Sequence, residues 1–325
     1  MVYPKISIIT PSFNQGQYLE QTIVSVLSQE YPNLEYIVID GGSTDNTVDI
    51  IKKYEKYLTY WVSEPDKGQS DAIDKGYNRA TGEIINWLNS DDYYEPGALF
   101  KVGRVFNDPS VNIFCGISRV FGVGSEYYSN GTDIYPGNLE KTIGWARIDQ
   151  PETFMRKRIW DQLGGIDIRF NYVMDKELWV RYLFTYGLAG VLKTTELLAH
   201  FRHHPGSKTM SQQGEFSDEG LSLFYSLAVE NGLLEEAKFF IERYKTTYKA
   251  LNYDTNFCDI KKIIDYFLYY QFLAAYANND KKLMNYVKKF FNARHLSIED
   301  RRKCREITLR SRLIPFAIKK LWNHL

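Results

Sequence analysis

At 325 residues the chain can bury a sizeable core, as one large domain or one domain with a smaller companion. Its 44% hydrophobic and 25% charged residues are ordinary for a globular protein, and 40 Lys+Arg against 40 Asp+Glu leave no basic excess to draw nucleic acid as a bulk partner. Three cysteines (Cys115, Cys258 and Cys304), odd in number and far apart, argue against a disulfide framework and fit a reducing compartment.

The chain runs early into a strand-like segment, Lys5 to Thr10, with neither the charged region nor the apolar core of a signal peptide before it. Gln17 to Gln29 has helical spacing, with Leu19, Ile23, Val26 and Leu27 on one face. A second strand, Tyr36 to Ile39, ends on Asp40; Gly41 to Asp45 then make a glycine turn and capping residues that start a helix through Ile50-Ile51. Tyr60 to Val62 is a third strand, closed by Glu64-Pro65-Asp66-Lys67-Gly68, and Ser70 to Ala80 is a short helix with Ile73 and Tyr77 on one side. The fourth strand, through Ile84-Ile85 and Trp87-Leu88, stops on Asn89-Ser90-Asp91-Asp92. Strands and helices alternating four times, with continuously apolar strands, predict a parallel sheet covered on both faces. Right-handed crossovers then put the strand ends on one rim.

That rim collects Thr10, Asp40, Asp66, Asp91 and Asp92. Any one of these acids can cap a helix or shape a turn, and Ser-Asp-Asp before Pro96 reads equally as a turn or as part of a site for a hard divalent cation. The glycine-rich turn of a dinucleotide fold is missing, since the first turn holds only Gly16, and there is no phosphate-binding P-loop. Acids line this rim, so a diphosphate would be held there through a cation bridging carboxylate and phosphate oxygens.

Ile9-Thr10-Pro11-Ser12-Phe13-Asn14, Asp40-Gly41-Gly42-Ser43-Thr44-Asp45-Asn46-Thr47, Asp66-Lys67-Gly68 and Asn89-Ser90-Asp91-Asp92, in this order and spacing, resemble the family 2 glycosyltransferases of the GT-A fold. The resemblance covers roughly the first two-thirds of the chain. It implies a Rossmann-like, mostly parallel α/β sheet with helices on both faces, and inverting transfer of a sugar from a nucleoside diphosphate donor, UDP-sugar first, usually with Mn2+ or Mg2+. Carried onto these residues, it has Thr10 and Pro11 lining the nucleotide pocket. Asp40 would accept from the base, with Asp66 and Lys67 beside the same nucleotide. Asp91 would be shared between ribose and metal, and Asp92 would ligate the metal. The chain departs from the family where Asp40-Gly41-Gly42 replaces the common Asp-Asp-Gly, and where Asn89 replaces an acid; Asn89 is expected to be no ligand.

Gln150-Pro151-Glu152-Thr153-Phe154-Met155-Arg156, before a helix ending at Gly164-Gly165, resembles the family's segment below the acceptor pocket, and Gly164-Gly165 is equally a helix C-cap and turn. Asp175 stands at a helix start, where it could serve as a cap; inverting transfer needs one carboxylate to take the acceptor hydroxyl's proton. It matches the base of the family's Glu-Asp motif, with Met174 replacing the preceding acid. Glu177, two residues on along a helix, points elsewhere. Phe201 to Thr209 gathers cationic groups: by the resemblance His204 reaches the metal or diphosphate, with Arg202 and Lys208 near the diphosphate. His200 and His203 read as structural.

From about Glu215 the texture turns helical: Leu221 to Val229, Leu234 to Tyr248, Ile260 to Tyr276, Lys282 to Phe291 and a last piece to Leu325, with Tyr266 to Tyr270 as core. The resemblance does not reach here, and the expected division is a catalytic domain at 1–212 and a helical region at 213–325. Up to Ser207 there are 20 basic and 26 acidic residues, and from Lys208 onward 20 and 14, so the parts carry −6 and +6. Residues 294–325 hold nine basic residues, three acids and the apolar Leu313-Ile314, Phe316 and Leu321-Trp322. That pattern suits an anionic membrane surface or a solvated last helix. The whole reads as a cytoplasmic, metal-dependent inverting glycosyltransferase acting on a glycan or lipid-linked acceptor in surface polysaccharide or glycoconjugate synthesis, with peripheral contact at the inner membrane face through the basic C-terminus. Its rivals are a nucleotidyltransferase, which would want an Arg-containing glycine-rich first loop, and a non-catalytic nucleotide-sugar-binding protein.

Overall fold

The computed structural model describes residues 3–124, 126–255 and 258–313. The chain divides into two compact units: residues up to Ile134 with Arg147–Phe216, and Tyr135–Ala146 with the described residues from Ser217 onward.

In the first unit β1 (Ile6–Ser12) is buried along its whole length, as a continuous apolar run in mid-sheet requires. Next come α1 (Gly16–Leu27), β2 (Leu34–Asp40), α2 (Thr47–Tyr54), β3 (Tyr60–Ser63), α3 (Gln69–Tyr77) and β4 (Ile84–Trp87). The order β3-β2-β1-β4 is parallel throughout, with Ser12 in register with Asp40 and Asp40 with Ser63. The expected rim is therefore present, and it places two serines on either side of one carboxylate.

The sheet then becomes mixed. β5 (Tyr93–Tyr94), α4 (Ala98–Val105), β6 (Ile113–Gly122) and β7 (Tyr127–Tyr128) follow in the chain, then α5 (Leu139–Trp145), which belongs to the second unit. β8 (Thr153–Arg156), α6 (Lys157–Leu163), α7 (Met174–Tyr186) and β9 (Val191–His203) complete the sheet, in the order β4-β8-β6-β9-β5 with β7 on β6. β8 runs antiparallel to β4, and β5 pairs antiparallel with β9, Tyr93 opposite His200. Because β5 follows Asp92 directly, this short pairing brings the end of β9 against Asp91-Asp92 from 110 residues away. One face of the sheet packs Ile8, Val38, Phe114 and Leu198 with Leu19, Ile23 and Val26 of α1 and Leu99 and Val102 of α4. On the other, α3 lies so close that a Cβ at Gly76 would sit 2.5 Å from Ile9, and α6 and α7 bring Trp160 and Trp179 against Ile85, Trp87 and Met155.

The second unit holds α5 and, after α8 (Lys208–Ser211) of the first, α9 (Gln213–Glu230), α10 (Leu234–Arg243), α11 (Ile260–Ala277), α12 (Lys281–Val287) and α13 (Ile298–Leu313). Asp259 and Asp280 cap α11 and α12 by accepting from Lys262 N and Leu283 N. Tyr266 to Tyr269 are buried as expected, Phe267 stacking on Phe224 at 4.1 Å, whereas Tyr270 is turned outward. α10 ends at Arg243, five residues before the expected stop. Residues 314–325, the last twelve of the expected amphipathic segment at 294–325, lie outside the described residues. No described helix is long and apolar enough to cross a membrane.

Candidate active site

The site is built on the rim where β1 to β4 end. After β4, Leu88 N donates to the Ile9 carbonyl, the strand stops, and Asp92 N donates back to the Asn89 carbonyl at 3.1 Å, closing a turn. Thr22 Oγ1 on α1 donates to the carbonyls of Ser90 and Asp92, and Gln69 Nε2 on α3 donates to Asn89 Oδ1 at 2.7 Å. The turn is thus clamped from both flanking helices, which fixes the directions of its two carboxylates.

Those directions differ. Asp91 is partly exposed, and its Oδ2 lies 2.9 Å from His204 Nε2. The His204 ring is itself held by Tyr18 at 4.5 Å between centroids. Asp92 is only 1% exposed: Oδ1 accepts from Arg202 N at 2.9 Å and Oδ2 from Asn89 Nδ2 at 3.4 Å. Burial, and after it the charge of Asp91, holds the Asp92 carboxyl well above its ordinary value. In this arrangement the oxygens of Asp92 accept from backbone and from Asn89, while Asp91 faces the histidine. Asn89 is held by Gln69 and Asp92.

Arg202 was expected near a diphosphate. Its Nε donates to the Asp91 carbonyl at 2.9 Å and Nη2 to Gln21 Oε1 at 2.5 Å, and its guanidinium lies over the rings of Tyr18 and Phe121. It braces the acidic turn. Lys208 Nζ donates to the Asn171 carbonyl at 3.2 Å and lies over Tyr172. His200 pairs with Glu95 at 2.6 Å and stacks on Tyr93, a structural role as expected.

At the other end of the rim Asp40 is fully buried. Oδ2 accepts from Gly42 N, Ser43 N and Ser63 Oγ, and Oδ1 from Ser43 Oγ. These four accepted hydrogen bonds tie the carboxylate to its own loop and to the neighbouring strand. Thr10 is likewise turned inward, with Oγ1 3.1 Å from Tyr36 Oη, so it offers a nucleotide only backbone. Pro11 beside it is buried, and Lys67 is exposed with its N–H on Asp71. Asp66 is partly exposed, and its Oδ1 accepts from Gly68 N at 2.8 Å. Its Oδ2 lies where a Cβ on residue 41 would come within 2.5 Å, so a side chain there would shift the Asp66 carboxyl. Gly68, at φ +114°, lets the chain turn directly into α3.

Asp175 opens α7, and its Oδ1 accepts from Lys176 N at 2.7 Å. Burial pushes its carboxyl up to about 6, with Asp149 adding to the rise and Lys176 opposing it. Glu177 is buried in a bidentate pair with Arg181, so the rival acid is spent. Sequence reasoning missed three supports of this site, Thr22, Gln69 and Tyr18, which nothing in their local pattern marks because each acts on a residue distant in sequence. Gln150 was singled out only as part of a motif, and its Nε2 donates to Asn86 Oδ1 and the Trp87 carbonyl.

A parallel half-sheet with an acidic rim, extended by a mixed half that returns a histidine to that rim, is the architecture of the GT-A glycosyltransferases. The structure of Staphylococcus aureus TarS residues 1–349 in complex with UDP shares it, at a TM-score of 0.58 and 16% identity over 91% of this chain and 76% of that one. The model of "Glycosyl transferase family 2" matches residues 7–180, and the chain belongs to that family. It is 30% identical over 184 residues to an uncharacterised glycosyltransferase of Mycobacterium tuberculosis, covering 55% of this chain and 68% of the relative. It is 29% identical over 136 residues to the GalNAc(5)-diNAcBac-PP-undecaprenol β-1,3-glucosyltransferase of Campylobacter jejuni, covering 40% and 44%. The chain is an enzyme of glycosyl transfer, akin to proteins of polysaccharide and glycoconjugate synthesis.

Proposed function

We propose that this enzyme transfers a sugar with inversion from a nucleoside diphosphate, a UDP-sugar first, to a hydroxyl of a glycan or lipid-linked acceptor. The observation that carries this reading is the pairing of Asp91 with His204 at the end of a buried strand, where the chain offers acids and no phosphate-binding glycine loop. The site fits a divalent cation with few protein ligands. One carboxylate and one imidazole converge, and among the described residues no group of three His, Cys, Asp or Glu side chains could hold an ion unaided. Mg2+ and Mn2+ suit such a site, their remaining positions going to phosphate oxygens and water. When bound, the cation supplies positive charge to the departing diphosphate.

The chain's own groups do the rest. Asp66, with Oδ2 free of hydrogen bonds among the described residues, faces the nucleotide in place of Asp40, alongside Pro11 and Lys67. Arg202 holds the Asp91 backbone so that the carboxylate presents one face. Asp175 takes the proton of the acceptor hydroxyl while that oxygen bonds to the anomeric carbon and the bond from that carbon to the diphosphate oxygen breaks. A carboxyl held at about 6 is a better base than an ordinary aspartate and is still mostly ionised at neutral pH. The Campylobacter relative's name describes a polyprenyl-diphosphate glycan substrate, which supports a lipid-linked acceptor here. Contact with the membrane that carries such an acceptor falls to the basic C-terminal part, where Ile298, Arg302, Lys303, Arg305 and Leu309 are exposed on or beside α13. Removing residues 294–325 should release the protein from the membrane fraction, and an unchanged distribution would refute that contact.

The test is a thermal-stability screen of nucleotide sugars with and without Mn2+. A donor that binds the folded chain raises the melting temperature only when the ion is present. Asp175→Asn keeps that rise and loses transfer. Stabilisation that ignores the ion, or transfer that survives in Asp175→Asn, contradicts the proposal.

A further inference from the structure

Behind Asp175, between the sheet and helices α6 and α7, lies a cavity lined by Asn86, Trp87, Gln150, Trp160, Asp175 and Trp179 among others. Its volume of about 20 Å3 is room for one water molecule. The remaining wall is largely apolar, so the few polar atoms facing it matter.

The sense of the Gln150 amide is settled by its neighbours. Asn86 Nδ2 donates to the Pro151 carbonyl at 3.0 Å, which leaves Asn86 Oδ1 as an acceptor, and it accepts from Trp87 N and Gln150 Nε2, both at 2.9 Å. Gln150 Nε2 donates a second time, to the Trp87 carbonyl, at 2.5 Å. Reversing either amide would set its oxygen against a backbone carbonyl, that of Pro151 or that of Trp87, and break this chain of bonds. Gln150 Oε1 is therefore the remaining acceptor, buried and without a partner among the described residues; the indole N–H groups of Trp160 and Trp179 are buried donors in the same position. An unpartnered carboxamide oxygen on Gln150 and the carboxyl of Asp175, both from residues lining one water-sized space, are an unusual pair, since buried polar groups are nearly always matched.

We propose that the cavity holds a single water joining Gln150 to Asp175, and that Gln150 is a positioning residue for the base. One water matches the two: it donates to Gln150 Oε1 and to the Asp175 carboxylate. The hydrogen bond it gives favours the ionised carboxylate and fixes its rotamer. Two other charges face Asp175: Lys176 on the same helix, which favours the anion, and Asp149 on the segment before β8, which opposes it. This inference rests on the reading of Asp175 as the base.

Two experiments test it. A crystal structure of the full chain at a resolution that shows ordered water should place one within hydrogen-bond reach of both Gln150 Oε1 and Asp175, and a dry or collapsed cavity overturns the proposal. Gln150→Met should move the acidic limb of the pH profile for UDP-sugar turnover to higher pH by about one unit, a roughly tenfold loss at low pH, with the donor KM unchanged. A limb that stays in place overturns the positioning role even where kcat falls. Asp175→Asn run in parallel separates the two claims. If it turns over normally, the base assignment fails; if it is inactive while the Gln150→Met limb stays in place, the assignment stands and the water link fails. Where Gln150→Met does not fold, the crystallographic water decides.

Discussion

Replacing Asp175 with asparagine removes a carboxyl whose value burial raises from 3.8 to about 6. Each pH unit of that difference is worth about 1.4 kcal/mol, so ionising Asp175 in the folded chain at pH 8 costs about 3 kcal/mol, and partial exposure trims this to roughly 1–3 kcal/mol. The sign follows from proton binding. The folded chain holds this proton more tightly than the unfolded chain, so the stability it contributes is full below 3.8, declines as pH rises through about 6, and is gone above that. Asp175→Asn carries no such penalty. At pH 8 it should melt several degrees above the wild type, at roughly 2–4 °C per kcal/mol for a unit of this size. At pH 5 the gap should shrink to about half. Differential scanning fluorimetry at the two pH values, with sugar transfer measured on the same samples, gives the answer: a more stable and inactive protein. A melting temperature at pH 8 equal to or below wild type, or a gap that does not shrink at pH 5, would refute the reasoning.

Asp91→Asn and His204→Ala should each abolish the Mn2+-dependent stabilisation by a nucleotide sugar. Asp92→Asn removes a carboxyl whose charge burial opposes while leaving an oxygen to accept from Arg202 N, so it should melt at or above wild type at neutral pH, read in a thermal melt. Arg202→Lys keeps the charge but gives up the bonds to the Asp91 carbonyl and Gln21, so titration should find Mn2+ bound roughly tenfold more weakly. Glu152 is fully buried, and burial with help from Asp149 pushes its carboxyl up to about 8, leaving it mostly neutral at pH 7. Glu152→Gln should therefore melt at or above wild type there, its advantage growing as pH rises from 4.5 through 8, followed by melting across that range.

The parallel half of the sheet was legible because each strand is a continuous apolar run closed by a turn, and the acidic rim followed from chain order alone. The mixed half was not. β6 and β9 include polar and glycine positions such as Gly116, Ser118, Lys193 and Glu196, and their partners lie far away in sequence, so no local period marks them. The same long-range pairing decides the roles of adjacent residues. Asp91 and Asp92 look equivalent in sequence, yet β5 pairing with β9 sends one to a histidine and the other to a backbone N–H. The hydrogen bonds of Asp40 were hidden for a related reason: its register against Ser12 and Ser63, together with the glycine turn, ties the carboxylate to the loop. Asp175 was legible by position alone, and its burial required the cavity wall of Trp160 and Trp179.

The central claim is metal-assisted transfer with inversion by the Asp91–His204 and Asp175 site, and the configuration of the first-formed sugar tests it most directly. With Mn2+ and an α-linked UDP-sugar that stabilises the protein, water can stand in for the acceptor, and NMR can follow the anomeric proton before mutarotation. The account predicts the β-anomer first, only with the ion present and not in Asp175→Asn. The α-anomer first, or release that proceeds without the ion, would contradict it.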